Sequence, residues 1–223
     1  MEYLRKDFMS NVSHEFKTPI ASIQGFVEII KDNKLPPEKF NEYTDIIIEE
    51  TKRLSNLSSN ILRMSKLDNQ FIQSRPTKFS LDEQLRKTIL LFEEQWSSKN
   101  LDLDINLEKV SYEGDEELVQ QIWINLIGNA IKFSYDNGSI HVSLKQKKQD
   151  LVVKIKDEGI GISEESKPRI FEKFYQGDAS RSKSGNGLGL PIVKRIVEIC
   201  NGTISFESKE GLGTCFTVTL PKE

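Results

Sequence analysis

Cysteine is scarce. Cys200 and Cys215 are the only two in 223 residues, and neither has CxxC or Cys/His spacing, so nothing points to a zinc site, a redox pair or a disulfide framework. Both sit among apolar neighbours, and buried free thiols are the expectation. Long apolar runs are missing too: no stretch approaches the roughly 18 residues a spanning helix needs, and the N-terminus lacks the core of a secretory signal. The segment therefore reads as cytoplasmic, with no membrane contact of its own. An excess of either charge is absent, since 31 Lys and Arg stand against 34 Asp and Glu for a net −3. A nucleic-acid backbone is not the expected partner. Internal repeats and a P-loop signature are also lacking.

What is present is ordinary globular composition, 37% hydrophobic and 29% charged, in a length that suits one or two domains. Phe8, Val12, Phe16, Ile20, Ile23, Val27 and Ile30 recur every three or four residues, the seam of an amphipathic helix. Pro36 and Pro37 stop it. A second seam follows at Phe40, Tyr43, Ile47, Leu54, Leu57, Ile61 and Met64. Two helices have too little interior to hide both seams, so the hairpin is expected to pair with a second copy as a dimeric four-helix bundle. Near Arg75 and Pro76 the pattern changes, which divides the chain into 1–75 and 76–223.

The second region mixes helices and strands without regular βαβ units. Helices are expected over Leu81–Trp96, Asp115–Phe133, Ser163–Phe174 and Leu190–Cys200, with Ser163 as an N-cap. Strands are expected in "LDLDINL", on both sides of the polar "KQKKQD" turn, and in a hairpin across "KEGLG". The fold class is α+β, with helices on one face of a mainly antiparallel sheet, an α/β sandwich. His141, Trp96 and Trp123 read as strand surface and core packing, and "KQKKQD" as a solvated tip.

Three clusters carry candidate chemistry. In "NLIGNAIKFS", Asn125, Asn129 and Lys132 share a helix face; neutral amide oxygens there suit a divalent cation already charge-matched by phosphates, although a solvated face would look the same. In "DEGIGIS", Asp157 ends an apolar strand and Gly159 and Gly161 permit close approach by a planar ligand. A carboxylate there can accept from an exocyclic amine such as that of adenine. In "GNGLGL", Gly185, Gly187, Leu188 and Gly189 precede a helix whose free N–H groups favour phosphate. Each cluster alone is weak.

In this order, with "IFEKFYQGD" between the last two, they resemble the N, G1, F and G2 boxes of the sensor histidine kinases, within the GHKL ATP-binding superfamily, and "SHEFKTPIASI" resembles that family's H box. The resemblance spans Phe8 to Pro221. It implies a protein histidine kinase of a two-component signal-transduction system, a phosphotransferase using ATP and Mg²⁺. His14 would be the phosphoacceptor and Glu15 the acid that orients the imidazole and takes its proton. Thr18 would position water for a second activity, dephosphorylation of the response regulator whose receiver domain is the expected partner alongside a second copy of the chain. Asn129 would coordinate Mg²⁺ with Asn125 beside it, Lys132 would lie near the phosphates, and Phe133 would contact the adenine. Asp157 would bind the adenine amine, Gly159 and Gly161 would shape the pocket, and Gly185, Gly187, Leu188 and Gly189 would form the lid hinge, anchored by Phe171 and Phe174. Many members carry an arginine where this chain has Gln176, which leaves open whether Lys132, Arg181 or Lys183 compensates. A related GHKL ATPase would have no use for "SHEFKTP", and Gln176 is the best argument for a scaffold with an inactive pocket.

The helical wheel supports the phosphoacceptor role: at 100° per residue His14 lies roughly 200° from Val12, away from the seam. A histidine facing water keeps a ring nitrogen free for attack. Pro19 removes one helical N–H and clashes with the Glu15 carbonyl, so a bend beside His14 is expected. The chain begins almost at this helix and has no sensor segment, so it reads as the cytoplasmic portion of a longer, membrane-anchored sensor.

Overall fold

The computed structural model describes residues 2–32, 35–68, 76–177 and 185–222. Phe8 as a side chain, the connection at Asn33, the boundary residue Arg75, and Arg181 and Lys183 lie outside the described residues.

Two long helices, α1 (Glu2–Asp32) and α2 (Pro37–Asp68), form the hairpin. Pro37 opens α2 at the first helical position, where a missing N–H costs nothing, and the turn closes with Phe40 N–H on the Pro36 carbonyl at 3.0 Å. Phe26 and Tyr43 stack across the two helices with centroids 5.1 Å apart. Pro19 is buried and α1 runs through it uninterrupted. The seams are only partly covered: Ile20, Val27 and Phe40 remain 42%, 46% and 48% exposed, whereas Leu57, Met64 and Leu67 at the far end of α2 are buried.

The rest of the chain is an α/β sandwich. Five strands, β2 (Asp102–Leu107), β4 (Ser139–Lys147), β5 (Asp150–Asp157), β6 (Thr203–Lys209) and β7 (Gly213–Pro221), assemble in the order β2-β4-β5-β7-β6. Only β2–β4 is parallel, because its connection passes through a helix; the other pairs are antiparallel. Helices α3 (Leu81–Leu90), α5 (Glu116–Phe133) and α6 (Gly189–Ile199) supply the apolar layer over one face. Alternation sorts the strands: Leu151, Val153, Ile155 and Asp157 point into the core and Lys154 and Lys156 out to solvent. Trp123 is fully buried, its Nε1 donating to Gln84 Oε1 at 2.9 Å.

Several expectations need correction. Leu81–Trp96 is two helices, α3 and the short α4 (Glu93–Ser98), broken at Leu91–Phe92. Ser163–Phe174 holds only a 3₁₀ turn, Lys167–Arg169, among bends; Ser163 Oγ does accept from Ser166 N–H at 3.3 Å, but Pro168 and the short apolar pattern give no longer helix a face to bury. A two-stranded sheet, β1 (Thr77–Ser80) with β3 (Ser111–Gly114), was not foreseen. Its strands are four residues each, too short for a periodicity to show. Cys200 and Cys215 are free but half-buried rather than buried, Cys215 because it lies on the open face of the sheet. His141 is on that open face as expected, 2.6 Å from Asp104.

Candidate functional site

On the hairpin, His14 is exposed, as the wheel requires, and Thr18 is exposed one turn later with its Oγ1 3.5 Å from the His14 carbonyl oxygen. Glu15 is turned toward α2. There Arg53 places one guanidinium nitrogen 3.8 Å from Glu15 Oε2 and another 3.8 Å from Glu50 Oε2. The latter oxygen is shielded from solvent and has no hydrogen-bond partner, so the guanidinium sits between two carboxylates and is bonded closely to neither. Sequence reasoning missed Arg53. It is one of several charged residues on α2, and only the packing of the two helices singles it out.

The second constellation forms where the end of α5 meets the end of β5. Asp115 caps α5 by accepting from Leu118 N–H at 2.9 Å, and the helix carries Asn125, Asn129 and Lys132 on the face that the spacing predicts. At its C-terminus, Lys99 Nζ donates to the carbonyls of Ile131, Lys132 and Ser134 at 2.9, 3.0 and 2.9 Å. A cation there satisfies orphan carbonyls and opposes the negative helix end. Ile160 N–H then bonds the Phe133 carbonyl at 3.2 Å and Tyr135 N–H the Glu158 carbonyl at 3.3 Å. These bonds staple the asparagine-bearing helix to the turn after Asp157. Gly159 is needed at the staple, since a Cβ would lie 2.2 Å from the Phe133 oxygen.

Asp157 is 5% exposed. Its Oδ1 accepts from Thr214 N–H at 3.2 Å, yet burial outweighs that bond and its Gly159 contact, pushing the carboxyl up to about 6. A buried carboxyl with spare acceptor capacity beside a turn fits a ligand amine. Gly161, at φ +67, runs against the Lys209 carbonyl. Phe133 is half-buried, with Lys132 Nζ 4.7 Å above its ring.

Asn125 and Asn129 differ in their bonding. Asn125 Nδ2 donates to the Gln121 carbonyl at 2.7 Å, and Gly189 packs so closely on its oxygen that a Cβ there would lie 2.8 Å away. Asn129 is half-buried and its side chain has no hydrogen-bond partner among the described residues. Among the described residues no group of three His, Cys, Asp or Glu side chains is placed to hold a metal ion. A divalent cation here would rest on neutral amide oxygen and on its ligand's phosphates, and the half-buried Asn129 fits that demand.

The glycine run enters α6 with Leu188 as the fully buried N-cap. Gly187, at φ +64, presses on the Phe174 backbone, where a Cβ would sit 2.6 Å from the carbonyl carbon. Phe174 N–H donates to the Gly187 carbonyl at 2.9 Å and Gln176 Nε2 to the Gly185 carbonyl at 3.0 Å. Phe171 meets Phe206 on β6 edge to face at 6.0 Å. The structure thus brings together Asn125, Gly189, Leu188 and Gly187 on one side and Phe133, Asp157 and Gly159 on another, joined through α5. Sequence reasoning also missed Gly213 and Thr214, which hold Asp157 from β7. The "KEGLG" run was legible as a hairpin turn, but neither it nor the strand after it showed Asp157 as the partner.

Comparison with known proteins agrees with this geometry. The family described as "His Kinase A (phospho-acceptor) domain" matches residues 4–70, and "Histidine kinase-, DNA gyrase B-, and HSP90-like ATPase" matches residues 114–223. Heme sensor protein HssS of Staphylococcus saprophyticus is 38% identical over 224 residues, covering all of this chain and 48% of that protein. Sensor protein SrrB of Staphylococcus aureus is 32% identical over 226 residues, covering all of this chain and 39% of that protein. The chain therefore spans half or less of the curated relatives it matches. Among solved structures, histidine kinase ThkA in complex with response regulator protein TrrA is similar at a TM-score of 0.81 and 31% identity, over 97% of this chain and 61% of that one. The catalytic domain of ThkA alone is similar at 0.60 and 32%, over 66% of this chain and 96% of that one. With a phosphoacceptor hairpin, an ATPase-type sandwich and relatives matched along its whole length, the chain belongs to the sensor histidine kinases of two-component systems, of which it carries the catalytic core.

Proposed function

We propose that this core phosphorylates its own His14 from ATP and passes the phosphoryl group to an aspartate on the receiver domain of a response regulator. The observation that carries the reading is an exposed His14 with Glu15 beside it, on a hairpin whose second helix packs against the domain holding Asn129 and Asp157. A ring nitrogen of His14 attacks the γ-phosphorus, the P–N bond forms as the bond to the β,γ-bridging oxygen breaks, and ADP leaves. Glu15 takes the proton released by the imidazole. Asp157 accepts from the adenine amine, Phe133 packs on the base, and the free N–H groups at the start of α6 face the phosphates. Mg²⁺ would be held by Asn129 with Asn125 beside it, and when bound it neutralises phosphate charge. In the second transfer a receiver carboxylate oxygen attacks phosphorus and the P–N bond breaks, freeing His14. The ThkA relative, captured with a response regulator, supports that partner. Thr18, exposed one turn from His14, suits the orientation of a water for the reverse duty of dephosphorylating the regulator. A second copy of the chain would cover the exposed seam and form the four-helix bundle.

The test is incubation with γ-labelled ATP and Mg²⁺, parent against His14→Gln. Acid-labile, alkali-stable label in the parent that disappears in the variant is the expected result. Label of the same stability retained by His14→Gln would overturn the assignment.

A further inference from the structure

We infer that Gln176 is a positioning residue for the nucleotide site, clasping the start of the glycine run with a neutral side-chain donor. The inference rests on the nucleotide reading above. A carbonyl oxygen can only accept, so the Gln176 group 3.0 Å from the Gly185 oxygen is its amide nitrogen. Among the described residues this bond crosses the neck between 174–176 and 185–187, as does Phe174 N–H on the Gly187 carbonyl at 2.9 Å.

Both sides of the neck are anchored. Tyr175 Oη donates to Ser166 Oγ at 3.0 Å and its ring lies under the Arg169 guanidinium at 4.3 Å, which fixes 174–176 on the 3₁₀ turn. On the other side, Asn186 Oδ1 accepts from Leu188 N–H at 3.2 Å, Leu188 is fully buried, and Gly189 is packed on the Asn125 oxygen. A continuous set of contacts therefore leads from Gln176 through the glycine run to the first turn of α6 and to Asn125. Without the amide bond the register of Gly185–Gly189, on which the α6 N–H groups depend, is less tightly set. An arginine at this position could make the same bond, so what this chain dispenses with is the charge and not the donor.

The test compares Gln176→Met, of similar length without a donor, Gln176→Glu, isosteric but acceptor only, and Gln176→Arg, which keeps a donor. All are made in the full chain, with binding of a fluorescent ATP analogue and amide hydrogen exchange at Phe174 as readouts. Loss of one hydrogen bond predicts about five-fold weaker analogue binding for the Met and Glu variants, with faster exchange at Phe174 in both and near-parental behaviour of the Arg variant. Parental binding and exchange in the Met and Glu variants would overturn the clasp. So would a difference confined to the Arg variant, since position 176 would then act through charge. A parent that binds no analogue would overturn the nucleotide reading, while the exchange comparison in ligand-free protein still decides the clasp.

Discussion

Asp157 holds a proton more tightly in the native state than in the unfolded chain, because its burial outweighs the hydrogen bonds it accepts. From about pH 4 to about 6 the native state is the more protonated of the two, so stability falls as pH rises through that window. The loss, complete above pH 6, amounts to about 3 kcal/mol for a shift to about 6. Asp157→Asn removes this component. The variant should gain on the parent between pH 4 and 6.5 in urea denaturation and be at least as stable at pH 7.5. It should also lose nucleotide affinity, since an amide bonds an amine less well than a carboxylate does. A stability difference between the two that stays flat across that window would show that the carboxyl is not strained by burial.

The turn between β6 and β7 serves the site from behind. Gly213, at φ +98, passes so close to β5 that a Cβ would lie 2.0 Å from the Asp157 carbonyl oxygen, and the next residue, Thr214, donates to Asp157 Oδ1. Gly211, at φ +76, lies in the same turn with nothing within 4 Å of such an atom. The pair separates two costs. Gly211→Ala should lose about 1 kcal/mol from the left-handed backbone alone, whereas Gly213→Ala adds a backbone collision and should lose at least about 3 kcal/mol together with nucleotide binding. Chemical denaturation of both variants measures this, and equal losses would mean that the close approach is not what requires the second glycine.

In the molecule as a whole, the hairpin and the sandwich meet at the far end of α2. Met64 and Leu67 are buried there, Arg195 Nε donates to the Leu67 carbonyl at 3.3 Å, and Lys173 pairs with Asp68 at 2.6 Å. That ion pair is 38% and 43% exposed and adds little. Under the proposed function the ATP-binding domain would approach His14 and then leave room for a partner, and contacts confined to one end of α2 suit such a movement. Along the hairpin Ile20, Val27, Phe40 and Leu62 are uncovered, Leu62 at 61% although close to the buried Met64, more apolar surface in one helical pair than a monomer readily tolerates. Light scattering should give a dimer for the parent and a monomer for Val27→Glu combined with Leu62→Glu, with helical signal retained and the melting temperature lowered. A dimeric double variant would place the interface elsewhere.

The hairpin and the α+β class were legible along the chain, because each rests on a local rule. Helical periodicity marks α1, α2 and α5 and alternation marks β2, whereas His14, Asn129, Asp157 and the Gly185–Gly189 run were singled out by the order of short segments that resemble a family's motifs, each segment alone being a weak signal. Where local signals were weak, the reading failed. Four-residue β1 and β3 are too short to show a period, the break at Leu91–Phe92 interrupts an apolar pattern that continues across it, and Ser163–Phe174 has a cap without a helix to follow. The folded chain decided which distant groups meet. Arg53 reaches Glu15 only because two helices pack, Lys99 caps α5 from 32 residues away, and Thr214 holds Asp157 from 57 residues away. Such contacts depend on register and packing between elements, and no pattern within either segment encodes them.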